Sequence, residues 1–285
     1  MTRPLLGAHV SIAGGLPRAI ERGVDLACDA LQIFVKNASQ WRGRPLHDEE
    51  AAAFREAHGA SGVGPVVAHA SYLINLAATD GTVLERSRAA LADELERCAR
   101  LGVEGLIVHP GAHLGAGEEA GIERAGASLD AVFERVPPPD GAGPQILLEN
   151  TAGQGSVLGF RNRHLAAIRA ASRHPERLGY CLDTCHAFAA GYAIHEPAGF
   201  DEWAAEVAEV LGWDLVGALH LNDSKQPFGS RKDRHANVGQ GQMGTEAFSR
   251  LLADRRAAGR PMVVETPLGD DEEGHRRDLE LLRKL

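Results

Sequence analysis

At 285 residues, with 44% apolar and 24% charged residues, the chain is long enough for a full core and has an ordinary globular composition. No apolar run approaches the ~20 residues needed to span a bilayer, and MTRPLLGAHVSIAGG at the start is too short in apolar residues for a secretory signal, so no membrane partner and a cytoplasmic location are expected. A net charge of −9 counts against a general nucleic-acid binder, but not against one whose positive charge is local or supplied by metal ions, and four cysteines are too few for a disulfide scaffold.

In chain order, short apolar runs alternate with amphipathic stretches rich in Ala and Glu. The eight runs are LLGAHV (5–10), LQIFV (31–35), PVVAH (65–69), GLIVH (105–109), QILLE (145–149), GYCLD (179–183), VGALHL (216–221) and PMVVE (261–265). Helices are expected between them, for example over 14–27, 49–58, 84–102 and 245–256, several ending at glycine. VPPPDGAGP (136–144) is the strongest break and reads as a loop before a strand, because the same alternation continues on both sides. A βα unit of about 36 residues repeated around a ring fits a single (β/α)8 barrel, or TIM barrel, spanning 1–285. A doubly wound open sheet is the main competitor; the near-continuous apolar strands favour closure, which buries both faces of each.

Six consecutive runs, from the third onward, stop at His69, His109, Glu149, Asp183, His220 and Glu265. In an α/β barrel the C-terminal strand ends share one mouth, where active sites lie. One such residue alone is more often a hydrogen-bonded structural group. Six at the same topological place gather more buried charge than a fold tolerates without compensation, and cations are the natural compensation. Three further residues join them. His186 follows Asp183 by about one helical turn, and Asp233 and His235 fall on one side of an extended segment. Asp233 viewed alone would be an ion-pair partner of the neighbouring cations. Cys181 and Cys185 read as one strand-end thiol and one loop thiol rather than a metal or redox pair. Five histidines and four carboxylates suit zinc, or manganese, better than magnesium, and are enough for about two or three ions with some bridging. A site of that net positive charge wants an anion, and phosphate esters are the obvious class.

These residues lie in GAHVSIAGG (7–15), HASYLINL (69–76), HPGAH (109–113), LENTAGQGS (148–156), DTCHAFAAGY (183–192), HLNDSK (220–225), FGSRKDRH (228–235) and VVET (263–266). With them the chain resembles the endonuclease IV family of metal-dependent abasic-site endonucleases along nearly its whole length. The resemblance implies three Zn2+ per chain, with Mn2+ possible at one or more sites. His69, His109 and Glu149 would hold one ion; Glu149, Asp183, His220 and Glu265 a second; His186, Asp233 and His235 a third. It further implies hydrolysis of the phosphodiester 5′ to an abasic site in damaged double-stranded DNA, leaving a 3′-hydroxyl, with cleaning of blocked 3′ ends as a companion activity. Glu149 would be the catalytic residue that orients the nucleophile. Tyr72 and Leu73 would wedge into the lesion, and Lys36, Asn37, Arg231, Lys232 and Arg234 would contact DNA. Ser39 stands where relatives often carry an arginine that enters the DNA, and Arg42 or Arg44 could substitute for it. A metal-dependent sugar isomerase or epimerase on a related barrel is the alternative, with fewer ions. A monomer is expected.

Overall fold

Each of the eight apolar runs forms a strand in the computed structural model, which describes residues 3–138 and 143–285. The strands are β1 (Leu5–His9), β2 (Ala30–Ile33), β3 (Val66–His69), β4 (Gly105–Val108), β5 (Gln145–Glu149), β6 (Leu178–Asp183), β7 (Val216–His220), β8 (Asp223–Ser224), β9 (His235–Ala236) and β10 (Pro261–Val264). All but β8 and β9 close into a parallel barrel in the order β1-β10-β7-β6-β5-β4-β3-β2. β8 and β9 form a separate antiparallel pair inside a stretch whose sequence suggests a single loop. The helices are α1 (Leu16–Asp25), α2 (Asp48–Ser61), α3 (Gly81–Leu101), α4 (Glu118–Arg135), α5 (Asn162–Ala171), α6 (Thr184–Ala190), α7 (Pro197–Glu206), α8 (Glu246–Ala253) and α9 (Gly274–Leu282). Part of the VPPPDGAGP stretch, residues 139–142, lies outside the described residues; the rest runs between α4 and β5.

Helix ends follow local chemistry. α3 starts three residues before its expected first residue because the Asp80 carboxylate accepts the Val83 N–H, capping the first turn. α2 and α3 end where Gly62 and Gly102 take left-handed φ values of 74° and 72°. No helix is long and apolar enough to cross a membrane.

The strand period of two divides the core into two parts. Val66, Ala68, Leu106, Val108, Ile146, Leu148, Leu182 and Val264 belong to the large cluster between barrel and helices. Val67, Ile107, Leu147, Cys181 and Ala218 form a second, small cluster inside the barrel. The next inward residues on these five strands are His69, His109, Glu149, Asp183 and His220. The apolar plug is therefore the floor on which the polar layer stands. Leu147 fills its centre because neighbouring strands withdraw: a Cβ on Gly105, Gly179 or Gly217 would come within 3.0, 2.8 and 2.7 Å of its methyl carbons.

Candidate metal centre

The strand ends deliver their side chains to one place. Glu149, Asp183 and His220 are fully buried and His69 is nearly so. Glu149 faces two directions. Its Oε2 lies 3.1 Å from His69 Nε2 and 3.0 Å from His109 Nε2. Its Oε1 lies 2.9 Å from His220 Nδ1 and 3.3 Å from His186 Nδ1. His220 Nδ1 is also 3.1 Å from Glu265 Oε2 and 3.8 Å from Asp183 Oδ2. Asp183 ends β6 and caps α6, accepting the His186 N–H at 2.7 Å, which swings the His186 ring over the same mouth. The β8–β9 pair brings back Asp233 and His235. Asp233 Oδ2 is 3.2 Å from His186 Nε2, and its Oδ1 is 3.2 Å from His235 Nε2.

The nine expected ligands thus fall into adjoining groups of metal-binding size. His69, His109 and Glu149 form one; Glu149, Asp183, His220 and Glu265 another; Asp183, His186 and His235 a third, with Asp233 against both imidazoles of the last. Hydrogen bonds on the far sides of the rings fix which nitrogen is free. His69 Nδ1 donates to the Ala70 carbonyl (2.7 Å), His186 Nδ1 to the Asn150 carbonyl (2.9 Å) and His220 Nε2 to Gln32 Oε1 (2.7 Å). The opposite nitrogens, His69 Nε2, His186 Nε2 and His220 Nδ1, face the carboxylates, the arrangement found around ligating histidines. The Nε2 atoms of His186 and His235 are buried and have no hydrogen-bond partner among the described residues. Orphaned ring nitrogens of this kind, in an imidazole–carboxylate set, fit a divalent cation such as zinc.

Electrostatics point the same way. Burial opposes charge on Glu149, but His109 and His220 outweigh it and hold the carboxyl well below the usual range. Burial likewise disfavours the imidazoliums of His186 and His220, yet the surrounding groups, Asp183 and Asp233 for the first and Glu265 and Glu149 for the second, raise both well above the ordinary value. His235 is pushed up to about 9 against its burial, chiefly by Asp233. Such mutual stabilisation marks a cluster that exchanges protons for cations. Cys181 lies directly under Glu149 and His220, but burial pushes its thiol up to about 12, so it stands as part of the apolar floor. Cys185, expected on a loop, is buried on α6.

Several supporting residues are not evident from the sequence. Gln32 donates to Glu265 Oε1 at 2.6 Å while accepting from His220. Asn222 donates to Asp183 Oδ2 at 2.6 Å and accepts the Glu265 N–H at 2.8 Å. Asn150 accepts the Asp183 N–H at 2.6 Å. A faint signal exists: Gln32 interrupts an apolar strand, and Asn150 and Asn222 follow ligands by one and two residues. Asp223, in the same loop as His220 and Asp233, points away and accepts N–H groups from Gly241 and Met243.

The residues expected at DNA divide into two kinds. Tyr72 and Leu73 are 63% and 37% exposed beside His69, and Asn37, Arg231, Lys232 and Arg234 are also accessible. Arg231 lies over the Phe160 ring at 5.0 Å, on a backbone held by Ala189. Lys36 corrects the expectation. It is buried, with Nζ 2.8 Å from Glu94 Oε1, and presents no cation at the mouth. Arg44 is exposed and paired with both oxygens of Glu50, and Arg42 is also exposed on the same loop. A cavity of about 220 Å³ opens between Tyr72, His109, Gln154, His186 and Asp233.

A family profile described as xylose isomerase-like TIM barrel matches residues 20–285. A D-tagatose 3-epimerase-like protein shares the fold, with a TM-score of 0.74 at 19% identity over 98% of this chain and 96% of that one. Endonuclease IV from Thermus thermophilus superposes with a TM-score of 0.88 at 39% identity, covering 99% of this chain and 98% of that one. A probable endonuclease 4 from Chloroflexus aurantiacus is 49% identical over 282 residues, which are 99% of this chain and 98% of that protein. With its clustered strand-end His, Asp and Glu side chains, its closed barrel and full-length similarity of this degree, the chain belongs to the endonuclease 4 family.

Proposed function

We propose that the protein is a DNA-repair endonuclease that hydrolyses the phosphodiester 5′ to an abasic site in duplex DNA, leaving a 3′-hydroxyl, and that it also trims blocked 3′ ends. The observation that carries this reading is the double-facing Glu149, which joins one His pair to the Asp183–His220–Glu265 group. Three zinc ions would be held by His69, His109 and Glu149; by Glu149, Asp183, His220 and Glu265; and by His186, Asp233 and His235. Manganese is compatible with the same mixed imidazole and carboxylate donors. When bound, such clustered ions activate water and neutralise charge on both the attacked phosphate and the leaving oxygen.

The chain's own residues supply placement. Glu149 is held ionised in a buried site, so it accepts a hydrogen bond from a proton-bearing nucleophile and orients it. Asp233 and His235 sit at the neck of the β8–β9 loop, next to Arg231, Lys232 and Arg234, so phosphate binding and the reacting centre share one support. The cavity beside Tyr72 and His109 suits an extrahelical sugar, and an abasic nucleotide brings no base to be accommodated. Among the described residues, large exposed apolar side chains concentrate on this face: Tyr72, Leu73, Leu114, Phe228 and Leu268 all follow C-terminal strand ends. Apolar groups of this kind unstack bases when they enter a duplex.

The test is incision of a duplex carrying one abasic analogue that resists β-elimination, followed by polymerase extension of the product. Cleavage on the 5′ side with an extendable 3′ end is the expected result. Cleavage on the 3′ side, or equal nicking of undamaged duplex, would refute it.

A further inference from the structure

The loops after β2 and β3 are joined by a buried ion pair that touches none of the nine ligand side chains. The Lys36 and Glu94 side chains are 3% and 2% exposed. Glu94 lies on α3 among Leu91, Leu95 and Cys98, a helix face that is otherwise core. Its Oε1 meets Lys36 Nζ at 2.8 Å, and its Oε2 accepts the Ser71 N–H at 3.0 Å. Lys36 Nζ donates in turn to the Gln40 carbonyl at 2.7 Å. Ser71 closes the circuit, donating its hydroxyl to the Ala38 carbonyl at 2.5 Å and accepting the Leu73 N–H at 3.3 Å. Three of these bonds link the 36–40 loop, the 71–73 loop and α3 to one another, and the other two brace each loop internally.

Stability does not explain the arrangement. A buried ion pair is a weak stabiliser, since its desolvation offsets most of the attraction, and a packed apolar pair of equal volume does as well or better. What an apolar pair lacks is direction. Glu94 fixes the Ser71 N–H just before Tyr72 and Leu73, and the Ser71 hydroxyl holds the Leu73 N–H, below two side chains that project from the mouth. The neighbouring loop offers Ser39 at its tip, too short to enter a duplex, and its bonds to Ser71 and Glu94 make it a buttress for the 71–73 loop.

We infer that Lys36 and Glu94 are positioning residues that lock the two loops together, so that Tyr72 and Leu73 meet the lesion as a preformed wedge. The inference rests on the abasic-site reading proposed above. A wedge ordered before binding spares the ordering cost on association, so its loss weakens binding rather than the chemical step.

The test uses the zinc-loaded full chain and a duplex with an abasic analogue, with 2-aminopurine in the opposite strand to report unstacking. The double variant K36M/E94L removes both charges together and leaves neither partner unpaired. Relative to the parent protein, KM should rise roughly tenfold while kcat stays within about twofold. Zinc content and melting temperature should hold, and the fluorescence rise on binding should shrink. Unchanged KM and fluorescence in the double variant would overturn the inference. So would a joint fall of kcat, zinc content and melting temperature, which marks a purely structural pair. The parent protein is measured first: if it neither binds nor incises this duplex, the abasic-site reading fails, and the wedge with it.

Discussion

At the residue scale, the proposed ligands are readable because strand ends in a barrel are a topological address. His69, His109, Glu149, Asp183, His220 and Glu265 each stop an apolar run, and no tertiary knowledge is needed to bring them together. Lys36 is not readable in this way. Its position, just past a strand end in a polar loop, is the same as that of a phosphate-binding lysine, and only Glu94, 58 residues later on α3, reveals that the ammonium is occupied. Gln32 is hidden for a related reason: a lone amide in a strand gives no hint of its three partners, His9, His220 and Glu265. Replacing Gln32 by Leu should lower zinc affinity at the His220 group roughly 10–100-fold, as loss of an orienting partner does elsewhere, while the other groups keep their metal. Competition with a chromogenic chelator would measure it, and unchanged affinity would mean that the amide does not orient His220. Asp233→Ala should lower zinc content by about one ion per chain; an unaltered content by elemental analysis would remove Asp233 from the ligands. Zinc binding should also release protons near neutral pH, because His235, at about 9, and His186 and His220, raised well above the ordinary value, carry protons that metal must displace. Affinity should therefore weaken as pH falls. Calorimetry in buffers of different ionisation enthalpy would show the release, and its absence would contradict the protonation assigned to these rings.

At the scale of elements, periodicity locates the strands and most helices because each barrel strand is buried on both faces and each helix on one. The β8–β9 pair is not visible as a strand pair. It is two residues on each side, too short for a period, and its pairing depends on Asp223 and on Gly229 and Arg231 docking on α6. The barrel floor is the most sensitive packing element. Leu147 occupies space that Gly105, Gly179 and Gly217 leave free. Gly179→Ala should destabilise by about 1–3 kcal/mol through overpacking, and Leu147→Ala by about 2–5 kcal/mol through a cavity directly beneath Glu149. Chemical denaturation of both variants checks the pair. No loss in either would mean that the floor is loosely packed.

At the scale of the molecule, a chain of net charge −9 must hold a polyanion. On the proposed reading, bound cations would join Arg231, Lys232 and Arg234 in concentrating positive charge at the mouth. Affinity for duplex should accordingly fall with added salt, and the R231A/K232A/R234A variant should show a smaller slope of log K against log salt, by about 0.9 for each phosphate that is no longer neutralised. A slope equal to that of the parent would move the DNA away from this loop. The closed barrel is legible in the eight-fold alternation, and the proposed chemistry in the residues that end it. What the sequence does not show is how the loops around the mouth support one another, since those links join residues far apart in the chain. The most direct test of the whole account is a titration of chelated protein with zinc, scoring incision of the abasic-analogue duplex at each equivalent. The account predicts that incision on the 5′ side is restored in full only as about three equivalents bind. Full activity at one equivalent, or no incision at saturation, would contradict it.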